Sequence, residues 1–107
     1  GGRVLDHTPG TAEVLPEIAA AVKGKIKIFI DGGIRSGVDA LKMLALGAEA
    51  VFVGRPMAVA AVGGGKEGVS LLLNQYADQL RTAMIYGGCG SLNEVSPSVL
   101  APAGREA

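Results

Sequence analysis

The sequence predicts an α/β fold built on neighbouring parallel strands. Three observations carry this. Two short apolar runs, Ile26–Ile30 and Val51–Val53, lie about twenty residues apart with an amphipathic segment between them. Each run ends in a glycine turn followed by an arginine, at Asp31-Gly32-Gly33-Ile34-Arg35 and at Gly54-Arg55. The overall order is loop, helix, strand, helix, strand, helix, helix. Parallel strands need a crossover of a dozen or more residues, usually a helix, and the segment between the two runs supplies one.

In chain order, residues 1–10 have no helical or strand period and read as a loop. Thr11 is the expected cap of a first helix, with Glu13 in its first turn and Val14, Leu15, Ile18, Ala19 and Val22 as its apolar stripe. Pro16 falls early enough to be tolerated, and Gly24 ends the helix. A strand is expected over Lys27–Asp31, buried as parallel strands are. Ser36 is the expected N-cap of a helix over about Val38–Leu46, with Val38, Leu41, Leu44 and Ala45 inward and Gly47 at its C-terminal end. A second strand is expected over Ala50–Val53.

Pro56–Val62 predicts a short helix that Gly63–Gly65 breaks. A long amphipathic helix then runs from about Lys66 to Tyr86. Its inward stripe is Val69, Leu72, Leu73, Tyr76, Leu80 and Met84; Ser70, Asn74, Asp78 and Arg81 face water. Gly87-Gly88 stops it. Ser91–Glu94 has the spacing of a capping box opening one last short helix, ended by Pro97, before a frayed tail from Ala101.

Composition narrows the function. The chain has 107 residues, so at most one domain, and equal numbers of acidic and basic groups. A basic patch for nucleic acid is not evident, and Trp is absent, which disfavours a base-stacking platform. No apolar run reaches the length of a membrane span. One cysteine, Cys89, excludes an internal disulfide and suits a reducing, cytoplasmic setting; it reads as a buried thiol rather than a nucleophile. No metal site is expected.

The two glycine turns are the candidate site. Glycines allow the backbone to turn tightly and bring N–H groups near a ligand, and a helix start beside an arginine attracts an anion. Two adjacent parallel strands would aim Arg35 and Arg55 at one phosphate, as in the loops after strands 7 and 8 of many (β/α)₈ barrels. Other phosphate motifs fail. From Gly32 or Gly33, the second glycine of Gly-x-Gly-x-x-Gly falls on Ile34 or Arg35. Gly37-Val38 and Lys66-Glu67 both lack the Gly-Lys-Ser/Thr of a P-loop.

Gly1-Gly2-Arg3-Val4-Leu5-Asp6, Asp31–Gly37 and Gly54-Arg55-Pro56 together resemble the C-terminal signature of the FMN-dependent α-hydroxy-acid oxidases and dehydrogenases, which include glycolate oxidase, lactate oxidase and mandelate dehydrogenase. The resemblance runs to about Val99. It implies a C-terminal fragment of a (β/α)₈ TIM barrel, holding helix 6, strand 7, helix 7, strand 8 and helix 8; a whole barrel takes about 250 residues. It implies FMN as cofactor and a small 2-hydroxy acid as substrate, oxidised to a 2-oxo acid. Arg3 would clamp the substrate carboxylate. Arg35 and Arg55 would hold the FMN phosphate with backbone N–H groups of Gly33 and Gly54, and Asp31 would bond the ribityl chain. The family's base is the His of Ser-x-His-Gly-Gly/Ala-Arg, and the sequence opens just after that position. His7 falls beyond Arg3 and is expected to have no catalytic role, so the isolated chain is expected to be inactive.

Two other readings stay open: a phosphate- or mononucleotide-binding module without chemistry, and an inert fragment that self-associates. Two strands alone leave edges and faces open. Homo-oligomerisation or association with the missing barrel portion is therefore expected. Val14, Ile18, Leu41, Leu72 and Tyr76 are the expected half-covered positions.

Overall fold

The computed structural model describes residues 4–101. Three helices accompany a two-stranded parallel sheet: α1 (Thr11–Val22), β1 (Phe29–Ile30), α2 (Gly37–Leu46), β2 (Ala50–Val51) and α3 (Arg55–Tyr86). Two 3₁₀ turns follow, at Leu92–Glu94 and Pro97–Val99.

The sheet is parallel, with Phe29 opposite Ala50 and Ile30 opposite Val51. Both strands are shorter than expected, but hydrogen bonding reaches past their ends. Glu49 N–H donates to Ile28 O and Phe52 N–H to Ile30 O, each at 2.8 Å. The Glu49 side chain adds to the N-terminal end, where Ile28 N–H donates to Oε2 at 2.5 Å.

Alternation across the strands decides what is covered. Ile28 and Ile30 point to the helices and form a core with Leu15, Ala19 and Ala48, bordered by Val22, Met43, Leu46 and Val51. Phe29 and Phe52 point the other way. They meet edge to face, with ring centroids 5.9 Å apart, and stay 58% and 55% exposed. The expectation of a fully buried strand therefore fails at Phe29, and also at exposed Ile26, because helices cover only one face of the sheet.

Helix α1 begins at Thr11, not after it. Gly10 holds the N-cap position, and Thr11 is the first helical residue. The helix passes through Pro16, which lies just past the first turn and removes one intrahelical donor. Lys23 Nζ reaches across to Gly47 O at 2.9 Å, capping the C-terminus of α2 with a cation. Ser36 caps α2 as expected, its Oγ accepting Asp39 N–H at 3.1 Å.

Helix α3 is traced from Arg55 to Tyr86, but Gly65 has φ 56° and ψ −145°, so the glycine run does break it into two helical pieces. Along the second piece Val69, Leu72, Tyr76, Leu80 and Met84 are half-buried, whereas Leu73, expected inward, is exposed. Of the expected half-covered positions, Leu41 is buried instead, Ile18 is exposed, and Val14, Leu72 and Tyr76 are half-buried. Leu41 is lost from that set because α2 lies against α3.

The single final helix becomes two 3₁₀ turns, and Pro97 opens the second rather than ending the first. Of the capping box, Ser91 N–H donates to Glu94 Oε2 at 2.7 Å. Cys89 is buried, its thiol beside the carbonyls of Gly87 and Glu94. Among the described residues no helix is long and apolar enough to cross a membrane.

The α2–α3 contact leaves no room at Gly37. A Cβ there would fall on the carbonyl oxygen of Tyr76 and lie 2.5 Å from the backbone nitrogen of Leu80. Backbone cannot swing aside as a side chain can, so Gly37→Ala should cost about 1–3 kcal/mol in urea unfolding. A midpoint equal to wild type would show that the helices part freely.

Tyr76 gives a pH signature at the same contact. Burial raises its phenol above the usual 10.0, and the negative charge of Asp39 adds to the rise. A phenol raised in the folded state holds its proton more tightly there than in the unfolded chain. Its contribution is therefore complete below the unfolded value and is lost as pH climbs from there through the raised one. As pH rises above the ordinary tyrosine value of about 10, the thermal midpoint of wild type should fall further than that of Tyr76→Phe, which has no proton to lose. Parallel slopes would contradict this.

Candidate functional site

The site is built where the two strands end. After Ile30, buried against the helices, alternation turns Asp31 to the open face. Its Oδ1 accepts the Gly32 N–H at 2.9 Å, so this carboxylate shapes its own turn. Gly32 and Gly33 follow with φ of 109° and 72°, the left-handed region where a Cβ is costly. Ile34 then drops into the interior and is 3% exposed. It pins the turn from below, between the two residues that face outward.

Arg35 is exposed, and its backbone is tied down: Arg35 N–H donates to Asp39 Oδ2 at 3.0 Å. Ser36 and Gly37 begin α2 immediately after. The second turn is shorter. Gly54 takes the N-cap position of α3, Arg55 is the first helical residue, and Pro56 sits in the first turn, where a missing donor costs nothing. Helix starts carry N–H groups without intrahelical partners and the positive end of the helix dipole.

Both turns open into one cleft of about 860 Å³. Asp31, Gly33, Arg35, Gly54 and Arg55, all five of the cleft residues singled out from the sequence, line it. Its far wall is apolar, with Phe52, Pro56, Val59 and Leu72. Among the described residues, the ion pairs join Lys27 to Glu49 and Arg81 to Asp78, so neither cleft guanidinium is neutralised by a carboxylate. A Cβ built on Gly33 or on Gly54 would meet no protein atom within 4 Å and would project into open space. Open glycine backbone, two guanidiniums without a carboxylate partner among the described residues and a helix start are groups that can bind an anion.

Arg3 lies outside the described residues. His7 sits in an exposed loop at φ 64° and does not line the cleft. Among the described residues no cluster of His, Cys, Asp and Glu could hold a metal ion. A second groove, of about 910 Å³, follows the free edge of β1 beneath α1. Among the described residues, the two share Asp31 and Gly32.

Three contributors were not singled out from the sequence. Ile34 was legible as an apolar residue stranded between glycine and arginine. Phe52 was read only as strand core, and its place in the cleft wall follows from which face stays uncovered. Gln79, whose Oε1 accepts Gly37 N–H at 2.8 Å across forty-two positions, left no local signal.

Comparison with known proteins gives consistent results. The family model described as FMN-dependent dehydrogenase matches residues 1–102. The L-lactate dehydrogenase of Xanthomonas campestris pv. campestris is 49% identical over 107 residues, 100% of this chain and 28% of that protein. The human 2-hydroxyacid oxidase 1 is 45% identical over 100 residues, 94% of this chain and 27% of that protein. The crystal structure of mandelate oxidase with benzoyl-formic acid superposes with a TM-score of 0.85 at 48% identity, covering 88% of this chain and 28% of that one. A mandelate oxidase variant carrying a monooxide FMN adduct superposes equally well, at 0.85 over 88% of this chain and 30% of that one. The chain thus spans about 28% of the length of the curated relatives it matches.

Proposed function

The chain belongs to the FMN-dependent dehydrogenase family, and from that premise we propose that its cleft holds the phosphate end of FMN in an enzyme that oxidises a 2-hydroxy acid to a 2-oxo acid. The observation that carries this is the convergence of Arg35 and Arg55, from two different turns, on one cleft with open glycine backbone.

Arg35 and Arg55 would each donate to phosphate oxygens. Planar guanidiniums suit this because they remain charged and can donate two parallel bonds. The N–H groups of Gly33 and Gly54 would approach the remaining oxygens, which a Cβ at either position would obstruct. Asp31, held by Gly32 N–H through Oδ1, keeps Oδ2 for a ribityl hydroxyl. Arg3 would clamp the substrate carboxylate and orient the α-carbon. Bound FMN would supply the two-electron acceptor for the α-hydrogen. His7, outside the cleft, is not the base in this reading, and none of the described residues is assigned that role.

On the same reading, the described elements are helix 6, strand 7, helix 7, strand 8 and helix 8 of a (β/α)₈ barrel. The free strand edges and the Phe29–Phe52 face are then the places where further barrel strands, or a second copy, would seat.

FMN and riboflavin differ only by the phosphate, so comparing them isolates the cradle. FMN should bind more tightly than riboflavin. Arg35→Ala and Arg55→Ala should each weaken FMN about 10- to 100-fold, the range for a charge-assisted contact, and leave riboflavin unchanged. Equal affinity for the two flavins would overturn the phosphate reading. The alternative, a phosphate-binding module without chemistry, would be preferred if inorganic phosphate or a simple mononucleotide bound as tightly as FMN.

A further inference from the structure

We propose that Gln79 is a positioning residue for the phosphate cradle, a role that rests on the phosphate reading of the cleft above. The first turn of α2 is closed on itself by short local bonds. Asp39 Oδ2 accepts Arg35 N–H at 3.0 Å, Ser36 Oγ accepts Asp39 N–H at 3.1 Å, and Ser36 O accepts Ala40 N–H at 3.2 Å. This set holds Arg35 to α2, but it does not fix α2 relative to α3.

Among the described residues, the hydrogen bond from that turn to another element is Gly37 N–H to Gln79 Oε1, at 2.8 Å and part-buried. It forms where the two helices touch closely, with the Gly37 backbone against Tyr76 and Leu80. Gln79 lies on the second helical piece of α3 and Arg55 begins the first, and beyond the break at Gly65 the two pieces pack together, where a Cβ on Gly68 would fall on the carbonyl oxygen of Ala60. The spacing of the two guanidiniums is therefore set twice: by Phe52 N–H on Ile30 O in the sheet, and by Gln79 on Gly37 between the helices. The sheet bond fixes the strand ends. The Gln79 bond fixes the direction in which α2, and with it Arg35, leaves the sheet. A cradle of two cations around one phosphate depends on that direction, since a shift of an ångström takes one guanidinium out of hydrogen-bonding range.

The test is affinity for inorganic phosphate and for FMN, read by NMR from natively folded molecules so that lost stability does not enter the value. Gln79→Met keeps the length of the side chain and removes the acceptor; both ligands should bind about three- to tenfold more weakly, the worth of one hydrogen bond. Gln79→Glu offers a carboxylate oxygen to the same N–H at a helix start, where a negative charge is favoured, and should restore wild-type affinity to within about twofold. Should Gln79→Met not fold, Gln79→Asn, one methylene short of Gly37, carries the same expected loss. Wild-type affinity in the lesion variant, or no restoration by Gln79→Glu, overturns the positioning role. Arg35→Ala and Arg55→Ala separate this from the phosphate reading. If they leave phosphate affinity unchanged, that reading fails; if they abolish it while Gln79→Met matches wild type, only the role of Gln79 fails.

Discussion

The parallel pairing of β1 with β2 is the constraint on which the rest of the structure depends. Parallel strands run the same way, so their C-terminal ends finish on the same side, and a helix must return the chain between them. Two bonds of 2.8 Å, from Glu49 N–H to Ile28 O and from Phe52 N–H to Ile30 O, fix the register. Once it is fixed, Asp31 and Phe52 leave the sheet side by side. The two glycine turns then have little choice but to open into the same cleft. Antiparallel pairing of the same sequences would send them to opposite ends.

A net-neutral chain can still present a strongly positive site when its charges are distributed unevenly. Lys27–Glu49 and Arg81–Asp78 pair at the surface, where such contacts contribute little to stability. Arg35 and Arg55 stand apart from carboxylate partners among the described residues, beside helix starts that reinforce their charge. Holding two like charges near one another is unfavourable in an empty cleft and favourable around an anion. On the reading proposed above, Ile34 beneath the first turn and the Gly37–Gln79 bond behind it would resist the tendency of the two to move apart.

Local chemistry was legible in the sequence because it is written in neighbouring residues. The Ser36 cap, the break at Gly65 and the two strand–glycine–arginine turns each depend on residues within a few positions of one another. Asp31, Gly33, Arg35, Gly54 and Arg55 belong to those turns, and they line one cleft. Features that depend on distant partners were not legible. Phe29 looks like core in its apolar run, and only the one-sided covering of the sheet leaves it open. Leu73 fits a helical stripe, but the stripe that meets α2 is narrower than the sequence suggests. Gln79 reads as one more polar position on a helix, and its contact with Gly37 spans forty-two positions. Thr11 and Pro97 were each displaced within a local signal: both suit the start of a helical turn, at the first position as well as at the boundary.

The central claim is that one anion is shared by two arginines from two strands. It is tested most directly by following the guanidinium Nε–H resonances of Arg35 and Arg55 as inorganic phosphate is added. The account predicts that both signals shift together and fit a single dissociation constant. Movement of one signal alone, or two separate constants, would place the arginines at different sites and contradict it.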